Sequence, residues 1–399
     1  MADRRPNPTI VIAICLLIAV LEGYDVQAFG VAAPRIAAQL HLGPSQMGWA
    51  GSVAMVGMMI GAVLGGSMAD RWGRKPILAL SVAAFGVFSL ATAASWSFET
   101  LVLARFLTGL GFGGAMPNLM AIATDISPPG KRAGTTTSMF CGLPAGGALV
   151  ALLARSGGSE MDWHTLFLVG GILPLLITPI VLLWLPETRP QSAQVVTYGD
   201  ALWGGGRVTI TVLLWLAFCL TLLINFLMLN WLPSLVETKG LSPTDGATAS
   251  LWFNIASVLG ALALGRLVDR FGPYWLVSLA FVTLGLAMWG LASAATLMGV
   301  LAFATAAGFL VAGGLFVLYA VTPGFYPLPV RAVGSGAAVA VGRFGSILGP
   351  IAAGQLRAAG FGPDQVFQAM IPVALCAAGT AYLLFRSARS TTSEELLSI

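Results

Sequence analysis

The chain has 399 residues, of which 57% are hydrophobic and 9% are charged, and its mean hydropathy is +0.88. A soluble domain carries about 25% charged residues, so the composition excludes a soluble globular protein. It predicts an all-α polytopic protein that lies in a lipid bilayer. The four cysteines and two histidines lack metal-ligand spacing, and no catalytic triad spacing or nucleotide-binding loop is present. We therefore expect no cofactor, no metal and no enzyme activity.

Twelve apolar runs are long enough to cross a membrane, which requires about 20 apolar residues. In chain order they cover residues 9–32, 46–69, 76–95, 98–121, 131–154, 164–186, 207–232, 243–268, 272–294, 295–322, 331–355 and 363–386. The first run is too long for a secretory signal peptide and contains acidic residues, so we expect the protein to retain it. These runs predict twelve transmembrane helices, numbered here as spans 1 to 12.

The distribution of Lys and Arg predicts the orientation. If the N-terminus is cytoplasmic, fourteen of these twenty residues lie in inner loops, in tails or at the span ends that border them, four lie in outer loops and two lie deep within spans. Cytoplasmic loops are enriched in Lys and Arg, so both termini are predicted to be cytoplasmic. The net charge of +4 then reflects topology and gives no reason to expect a nucleic-acid partner.

The chain contains an internal repeat at an offset of 199 residues. The motif G-x-x-x-D-R-x-G occurs at 66–73 and again at 265–272, and Arg132 falls on Arg331. Because the offset spans six helices, both halves keep the same orientation, which gives parallel repeats about an axis normal to the membrane. We therefore predict two parallel six-helix repeats. The predicted domains are an N-terminal bundle at 1–186, a cytoplasmic linker at 187–206 and a C-terminal bundle at 207–399.

The repeated loop motif resembles a signature of the major facilitator superfamily. G-S-M-A-D-R-W-G-R-K at 66–75 matches that superfamily's loop between helices 2 and 3, and G-R-L-V-D-R-F-G at 265–272 is a weaker second copy. The resemblance implies two bundles around a central cavity. It also implies a charge network, here called the latch, that holds the cytoplasmic side shut in the outward-open state. The predicted latch residues are Asp70, Arg71, Gly73, Arg74, Lys75, Asp125, Arg132, Asp269 and Arg270. Ordinary positive-inside loop charge is the alternative interpretation.

Four charged residues inside the predicted spans break the repeat. At the offset of 199, Glu22 aligns with Thr221, Asp25 with Ile224, Arg105 with Ala304 and Arg343 with Pro144. Each such charge costs about 2.5–3.5 kcal/mol on insertion scales. Both halves need the scaffold, whereas a substrate or ion site need not be duplicated. The asymmetry therefore favours a function for the four charges.

Asp25 and Arg105 each lie about seven residues inside the outer end of a span. That depth is on the order of 10 Å, so we expect the two side chains to meet. One interpretation is a structural ion pair that joins spans 1 and 4, but it leaves Glu22 and Arg343 unexplained. The other is a proton-coupled carrier. A buried carboxylate can bind and release a proton near neutral pH, and an arginine can hold a carboxylate through two hydrogen bonds.

Three spans resemble the aromatic acid:proton symporters of this superfamily. E-G-Y-D at 22–25 is similar to their D-G-[FY]-D signature, and L-V-L-A-R-F-L-T-G-L-G at 101–111 and A-V-A-V-G-R-F-G-S-I-L-G-P at 338–350 are similar to their helices 4 and 11. The resemblance implies that Glu22 and Asp25 couple protons and that Arg105 and Arg343 bind a carboxylate. Further candidates for substrate contact are Tyr24, Asn118, Asn225, Asn230, Trp231, Asn254 and Tyr319. Each of these seven can equally be a packing or interhelical hydrogen-bonding residue.

The function that this resemblance implies is symport by alternating access. The expected protein is a monomer of the bacterial inner membrane that imports protons with an aromatic carboxylate, such as a hydroxyphenylpropionate or a hydroxybenzoate. The first alternative is a proton-coupled exporter of drugs or metabolites, although C-G-L-P-A-G-G in span 5 departs from the exporter motif. The second is a membrane sensor or membrane enzyme, although the sequence shows no soluble signalling domain.

Overall fold

The computed structural model describes residues 7–128, 132–158, 161–188, 198–204, 207–273 and 275–397. Within these residues, twelve helices are long and apolar enough to cross a membrane, which confirms the all-α prediction. They are α1 Pro8–Gln39, α2 Pro44–Trp72, α3 Arg74–Ala93, α4 Phe98–Ile126, α5 Arg132–Ser156, α6 Trp163–Trp184, α7 Val208–Thr238, α8 Pro243–Phe271, α9 Leu276–Ser293, α10 Leu297–Val321, α11 Arg331–Ala358 and α12 Pro363–Leu397. A short helix at Tyr198–Trp203 precedes α7, and two 3-10 turns at Thr322–Phe325 and Leu328–Val330 join α10 to α11.

Several helices continue past the ends of the predicted apolar runs. Span 1 was predicted to end at residue 32, but α1 continues to Gln39. Protein contacts support the added turns, because Ile36 is fully buried and Arg35 Nη2 donates to the Gly158 carbonyl at 3.1 Å. A hydropathy pattern reports the thickness of the apolar layer, whereas the helix ends where its backbone groups find other partners.

Glycine contacts confirm the repeat at 199. Gly109 packs against the carbonyl of Ala54 so closely that a Cβ would overlap it, and Gly308 packs in the same way against Phe253, which aligns with Ala54. Two further pairs match at the same offset, namely Gly61 on Leu110 with Gly260 on Phe309, and Gly146 on Val20 with Gly345 on Cys219. Small residues let transmembrane helices approach closely, so both halves share these three close helix contacts.

The glycine that ends each copy of the loop motif has a positive φ. α2 ends at Trp72 and α3 begins at Arg74, with Gly73 between them at φ 96°. In the second half α8 ends at Phe271, and Gly272 follows with φ 78°. Residues with a Cβ rarely adopt this left-handed region, so the glycine of each motif makes the sharp turn possible.

The outer faces of the helices are apolar. Large side chains such as Val63, Leu183 and Met298 are exposed, as expected where lipid and not water is the solvent.

The described helices fall into two compact units. The first unit comprises Met1–Ser192 with Leu229–Leu251, and the second comprises Ala193–Met228 with Trp252–Ile399. In the first unit, Gln27 Nε2 donates to the Leu229 carbonyl at 3.0 Å, so the C-terminal part of α7 packs with the N-terminal helices. The domain boundaries at 186 and 207 stay a prediction.

Candidate functional site

The centre of the candidate site is a buried ion pair between α1 and α4. Arg105 Nη1 lies 2.5 Å from Asp25 Oδ1, and the two residues are 1% and 0% exposed. The contact expected from their depths in spans 1 and 4 is therefore present. Arg105 Nε is also buried and has no hydrogen-bond acceptor among the described residues, so the guanidinium keeps a donor that the ion pair does not use.

Side chains from two further helices complete the surroundings of this pair. The Ser89 hydroxyl on α3 donates to Asp25 Oδ2, and its oxygen lies 3.2 Å from the Phe167 carbonyl oxygen on α6. The Arg105 guanidinium lies over the rings of Phe29 and Phe167, 5.4 and 5.7 Å from their centroids, which is cation–π geometry. We call Asp25, Phe29, Ser89, Arg105 and Phe167 the buried cluster.

Gly170 on α6 lies next to the buried cluster, and its position leaves little room for a side chain. A Cβ at this position would lie 3.2 Å from Ser89 Oγ and 3.3 Å from Asp25 Oδ2. A larger side chain would therefore press on the carboxylate and on the hydroxyl together. The absence of a side chain lets α6 approach α1 and α3 at this level.

Sequence reasoning missed Ser89, Phe29 and Phe167. A serine and two phenylalanines in apolar spans are ordinary core residues, so their residue types carry little signal. One signal was available, because Ser89 aligns with Met288 at the offset of 199. Ser89 thus breaks the repeat in the same sense as the four charges do.

The buried cluster has a defined electrostatic behaviour. The carboxylate of Asp25 and the guanidinium of Arg105 cancel each other, which is the condition for burying either charge at tolerable cost. If Asp25 takes up a proton, Arg105 becomes an uncompensated buried cation. That cost favours the arrival of an anion. The arrangement can therefore link proton binding to anion binding.

Three other predicted residues of the first unit lie near this cluster or on the same helices. Glu22 and Tyr24 on α1 are 1% and 5% exposed. Asn118 on α4 is buried, and its Nδ2 donates to the Gly114 carbonyl of the same helix at 2.8 Å. That bond suits a packing role for Asn118 as well as a ligand-binding one.

The predicted residues of α7 divide between the two units. Asn230 and Trp231 are buried in the first unit, and a Cβ at Gly51 would lie 2.8 Å from Asn230 Oδ1. Asn225 is half-buried in the second unit, and Asn254 on α8 is fully buried there.

The second unit brings Arg343 and Tyr319 together. Both are half-buried, and the Arg343 guanidinium acts electrostatically on the Tyr319 hydroxyl. The Tyr319 ring packs against Phe218, with 5.0 Å between centroids. A guanidinium within electrostatic range of a packed pair of aromatic rings offers the charge and the flat apolar surface that an aromatic acid requires.

Two of the predicted latch residues form an ion pair at the α2–α3 corner. Arg74 Nη1 lies 2.5 Å from Asp125 Oδ2 in the last turn of α4. Glu187, which sequence reasoning assigned to the linker without a role, accepts a hydrogen bond from the Arg74 backbone N–H at 2.9 Å. A carboxylate at this helix N-terminus also complements the helix dipole.

The remaining predicted latch residues are placed as follows: Asp70, Arg71, Asp269 and Arg270 are exposed, Lys75 is half-buried, and the side chain of Arg132 lies outside the described residues. Arg270 lies over the Phe271 ring at 5.2 Å. Gating by these residues stays a prediction.

Comparisons with known proteins agree with this architecture. Residues 15–253 match the family model of the Major Facilitator Superfamily. The chain is 40% identical to the 3-(3-hydroxy-phenyl)propionate transporter of Escherichia coli (strain K12), over 98% of each chain. It is 32% identical to the 4-hydroxybenzoate transporter PcaK of Pseudomonas aeruginosa, over 92% of this chain and 90% of the relative.

Two solved structures show a likeness in fold. A bacterial homologue of the human lysosomal transporter Spinster has a TM-score of 0.78 at 18% identity, covering 98% of this chain and 99% of its own. A D-xylose-proton symporter has a TM-score of 0.77 at 17% identity, covering 94% of this chain and 98% of its own. Both support the twelve-helix transporter fold.

Proposed function

We propose that this chain, which belongs to the Major Facilitator Superfamily, is a symporter that imports an aromatic carboxylate together with protons. The family and the curated relatives are transporters and not enzymes. The names of the relatives, which include a gallate transporter of Pseudomonas putida at 31% identity, support an aromatic acid as the substrate. A 3-(3-hydroxyphenyl)propionate-like acid or a hydroxybenzoate is the proposed class.

The observation that carries this proposal is the fully buried ion pair of Asp25 and Arg105. In the empty carrier the pair is neutral. A proton on Asp25 together with a substrate carboxylate restores neutrality around Arg105, whereas either one alone leaves a buried net charge. Binding of both is therefore favoured over binding of one, which is the thermodynamic requirement for symport.

Arg343 is the proposed partner of the substrate carboxylate in the second unit. Its half-buried guanidinium is within electrostatic range of the Tyr319 hydroxyl, and the Tyr319 ring packs on Phe218. A planar guanidinium can hold a carboxylate through two hydrogen bonds, while the aromatic rings pack against the ring of the acid. Within the first unit, the Arg105 Nε–H, which has no acceptor among the described residues, offers a hydrogen-bond donor to an anion once Asp25 is protonated.

Alternating access completes the proposal. Bundles 1–186 and 207–399, joined by the linker, act as the two moving halves of a monomer in the inner membrane, with both termini cytoplasmic. The proton gradient supplies the energy, and no cofactor takes part. Fusing a reporter that is active only in the cytoplasm to each terminus tests the orientation, because the reporter shows activity only if that terminus is cytoplasmic.

The direct experiment is uptake into proteoliposomes with an imposed pH gradient. We expect labelled 3-(3-hydroxyphenyl)propionate or 4-hydroxybenzoate to accumulate when the outside is acidic, and accumulation to stop when a protonophore is added. Asp25→Asn should abolish accumulation. Glu99→Gln, which removes an exposed acid at the start of α4, should leave it intact. Accumulation that survives the protonophore, or movement of substrate only against the proton flow, would contradict the proposal and favour the exporter.

A further inference from the structure

The hydroxyl of Ser89 lies between two acceptors on different helices. It donates to Asp25 Oδ2 on α1, and the Phe167 carbonyl oxygen on α6 lies 3.2 Å from the same Ser89 Oγ. Ser89 is fully buried. A serine hydroxyl carries one hydrogen but can also accept hydrogen bonds, so Ser89 can donate to only one of these oxygens at a time.

We infer that Ser89 is a positioning residue that changes its hydrogen-bond partner when Asp25 changes its protonation state. While Asp25 is ionised, the hydroxyl donates to the carboxylate. When a proton binds to Oδ2, the new Asp25 O–H donates to Ser89 Oγ, and the Ser89 hydrogen rotates towards the Phe167 carbonyl. One proton is taken up from water, and no other covalent bond forms or breaks.

The consequence is that a fully buried carboxyl group has a polar partner in both protonation states. A buried polar group without a partner costs about 1–3 kcal/mol, so a neighbour that could only donate would hold Asp25 in its ionised form. A hydroxyl with a second acceptor in reach reduces that bias, because it also accepts from the protonated carboxyl group. The inference rests on the proposed function only in taking Asp25 as the group that binds the transported proton.

The charged and titratable groups near Asp25 come from few elements. Arg105 on α4 forms the ion pair, and Glu22 and Tyr24 lie close by on α1. In α2, α3, α5 and α6 the charged residues and the histidine lie only in terminal turns, and Cys141 is the other titratable side chain of these four helices. At this level α3 and α6 therefore act on Asp25 through the serine hydroxyl and not through charge.

The second half of the chain supports a specific role for this hydroxyl. Asp25 aligns with Ile224, and Ser89 aligns with Met288, at the offset of 199. Both aligned residues are fully buried. Where the repeat has no carboxyl group it also has no hydroxyl, so the fold itself does not require a serine at this position of α3.

Infrared difference spectroscopy on the purified full chain tests the inference directly. The C=O stretching band of the protonated Asp25 carboxyl, identified by its loss in Asp25→Asn, reports both titration and hydrogen bonding. Ser89→Ala should change the frequency of this band. It should also move its titration midpoint upward by about one pH unit, because hydrogen bonds to charged groups are stronger than those to neutral ones.

Two further variants make the result specific. Ser81→Ala removes another buried serine of α3 and should leave both frequency and midpoint unchanged. Ser89→Cys keeps a weaker donor of similar size and should give a smaller shift, which also serves if Ser89→Ala does not fold. A wild-type band in both Ser89 variants would overturn the inference.

Uptake measurements separate this inference from the proposed function. In proteoliposomes, Ser89→Ala should sustain proton-driven uptake to an external pH about one unit higher than wild type does. If the wild-type pH profile is kept and only the rate falls, Ser89 is merely structural and the hydroxyl switch is wrong. If wild-type uptake ignores the proton gradient but the Asp25 band still shifts in Ser89→Ala, the switch stands and the proposed symport fails.

Discussion

Three aligned positions are polar in the N-terminal half and apolar in the C-terminal half. Asp25, Ser89 and Arg105 are buried to 1% exposure or less, and their counterparts Ile224, Met288 and Ala304 are fully buried as well. Three pairs of glycine contacts elsewhere in the helices repeat between the halves. The same scaffold therefore accepts either set of side chains, and the polar set is not needed to build it.

The two sets of side chains also differ in the free energy of burying them. An apolar trio gains stability from burial without further conditions, whereas a buried ion pair has to recover the cost of removing both charges from water. Replacing such a pair with apolar residues of similar total volume is often neutral or stabilising. The N-terminal half thus buries side chains with a larger desolvation penalty than the C-terminal half does at the same positions, which is the pattern expected of a functional site.

The largest expected effect comes from breaking the pair on one side. Arg105→Ala leaves Asp25 as an unpaired buried acid, so we expect transport to fall to background and the free energy of unfolding to fall by about 3–5 kcal/mol. Uptake in proteoliposomes and thermal unfolding in detergent measure the two effects. Uptake near the wild-type level would show that Arg105 has no part in transport.

The matched variant gives the N-terminal half the side chains of the C-terminal half. Asp25→Ile, Ser89→Met and Arg105→Ala together remove both charges and conserve much of the volume. We expect this triple variant to have an unfolding temperature at least as high as that of wild type and to show no transport. If it is as unstable as Arg105→Ala alone, the three polar side chains are structural, and the conclusion that the fold does not need them is wrong.

Sequence reasoning predicted the parts that the bilayer and the repeat dictate. Twelve apolar runs, the offset of 199 and the glycine corners all follow from local patterns, and the Asp25–Arg105 contact follows from depth. The contacts of Ser89 and Phe167 do not. The α3 sequence offers several buried hydroxyls, at Ser81, Ser89 and Thr92, with no sign of which one meets α1, and α6 shows no polar stripe. Glu187 was missed for a different reason, since its partner is a backbone N–H 113 residues away.

Arg343 shows the reverse asymmetry, because the C-terminal half carries the charge and Pro144 stands at the matched position. Arg343→Ala should lower affinity for an aromatic acid by about 2–5 kcal/mol if it holds the carboxylate, roughly 30-fold to several-thousand-fold. Arg343→Lys should not restore binding, because an ammonium lacks the planar fork. Equilibrium binding of the acid and of its neutral amide measures this effect.

The amide supplies the control for Arg343. Wild type should prefer the acid strongly, and Arg343→Ala should lose that preference while it still binds the amide. A mutant that keeps the full preference for the acid would assign the carboxylate to Arg105.

A smaller effect is expected at the loop motif, where the two copies differ. Pro273 and Gly324 stand at the positions that match Arg74 and Asp125, so the ion pair of the first copy has no counterpart in the second. Arg74→Ala should slow turnover several-fold with little change in substrate affinity, and should cost at most about 1 kcal/mol of stability because the pair is partly exposed.

Arg270→Ala in the second copy is the matched control for Arg74→Ala and should change turnover less. Transport rate and equilibrium binding have to be measured on the same preparations. Equal losses of turnover in the two variants would mean that loop charge in general, and not the Arg74–Asp125 pair, controls gating.

The smallest expected effect lies where α6 and α12 begin. Asp162 caps α6, and its Oδ1 accepts from the His164 backbone N–H at 3.1 Å and lies 2.5 Å from His164 Nδ1. The matched position before α12 is Phe361. The hydrogen bond from the His164 side chain lowers the pKa of Asp162, so the folded state favours its charged form. This contribution is present above the unfolded-state pKa of about 3.9 and is lost as the pH falls through the lower folded value.

Asp162→Ala should therefore leave transport unchanged and reduce stability at pH 7 by about 1 kcal/mol, the usual worth of an N-cap. Thermal unfolding of mutant and wild type should converge as the pH is lowered through the Asp162 titration, because protonation removes from wild type what the mutation removes at every pH. A difference that stays constant over this range would assign the effect to lost packing beside Trp163 and not to the charged cap. The difference between Asp162 before α6 and Phe361 before α12 would then lie in side-chain packing and not in charge.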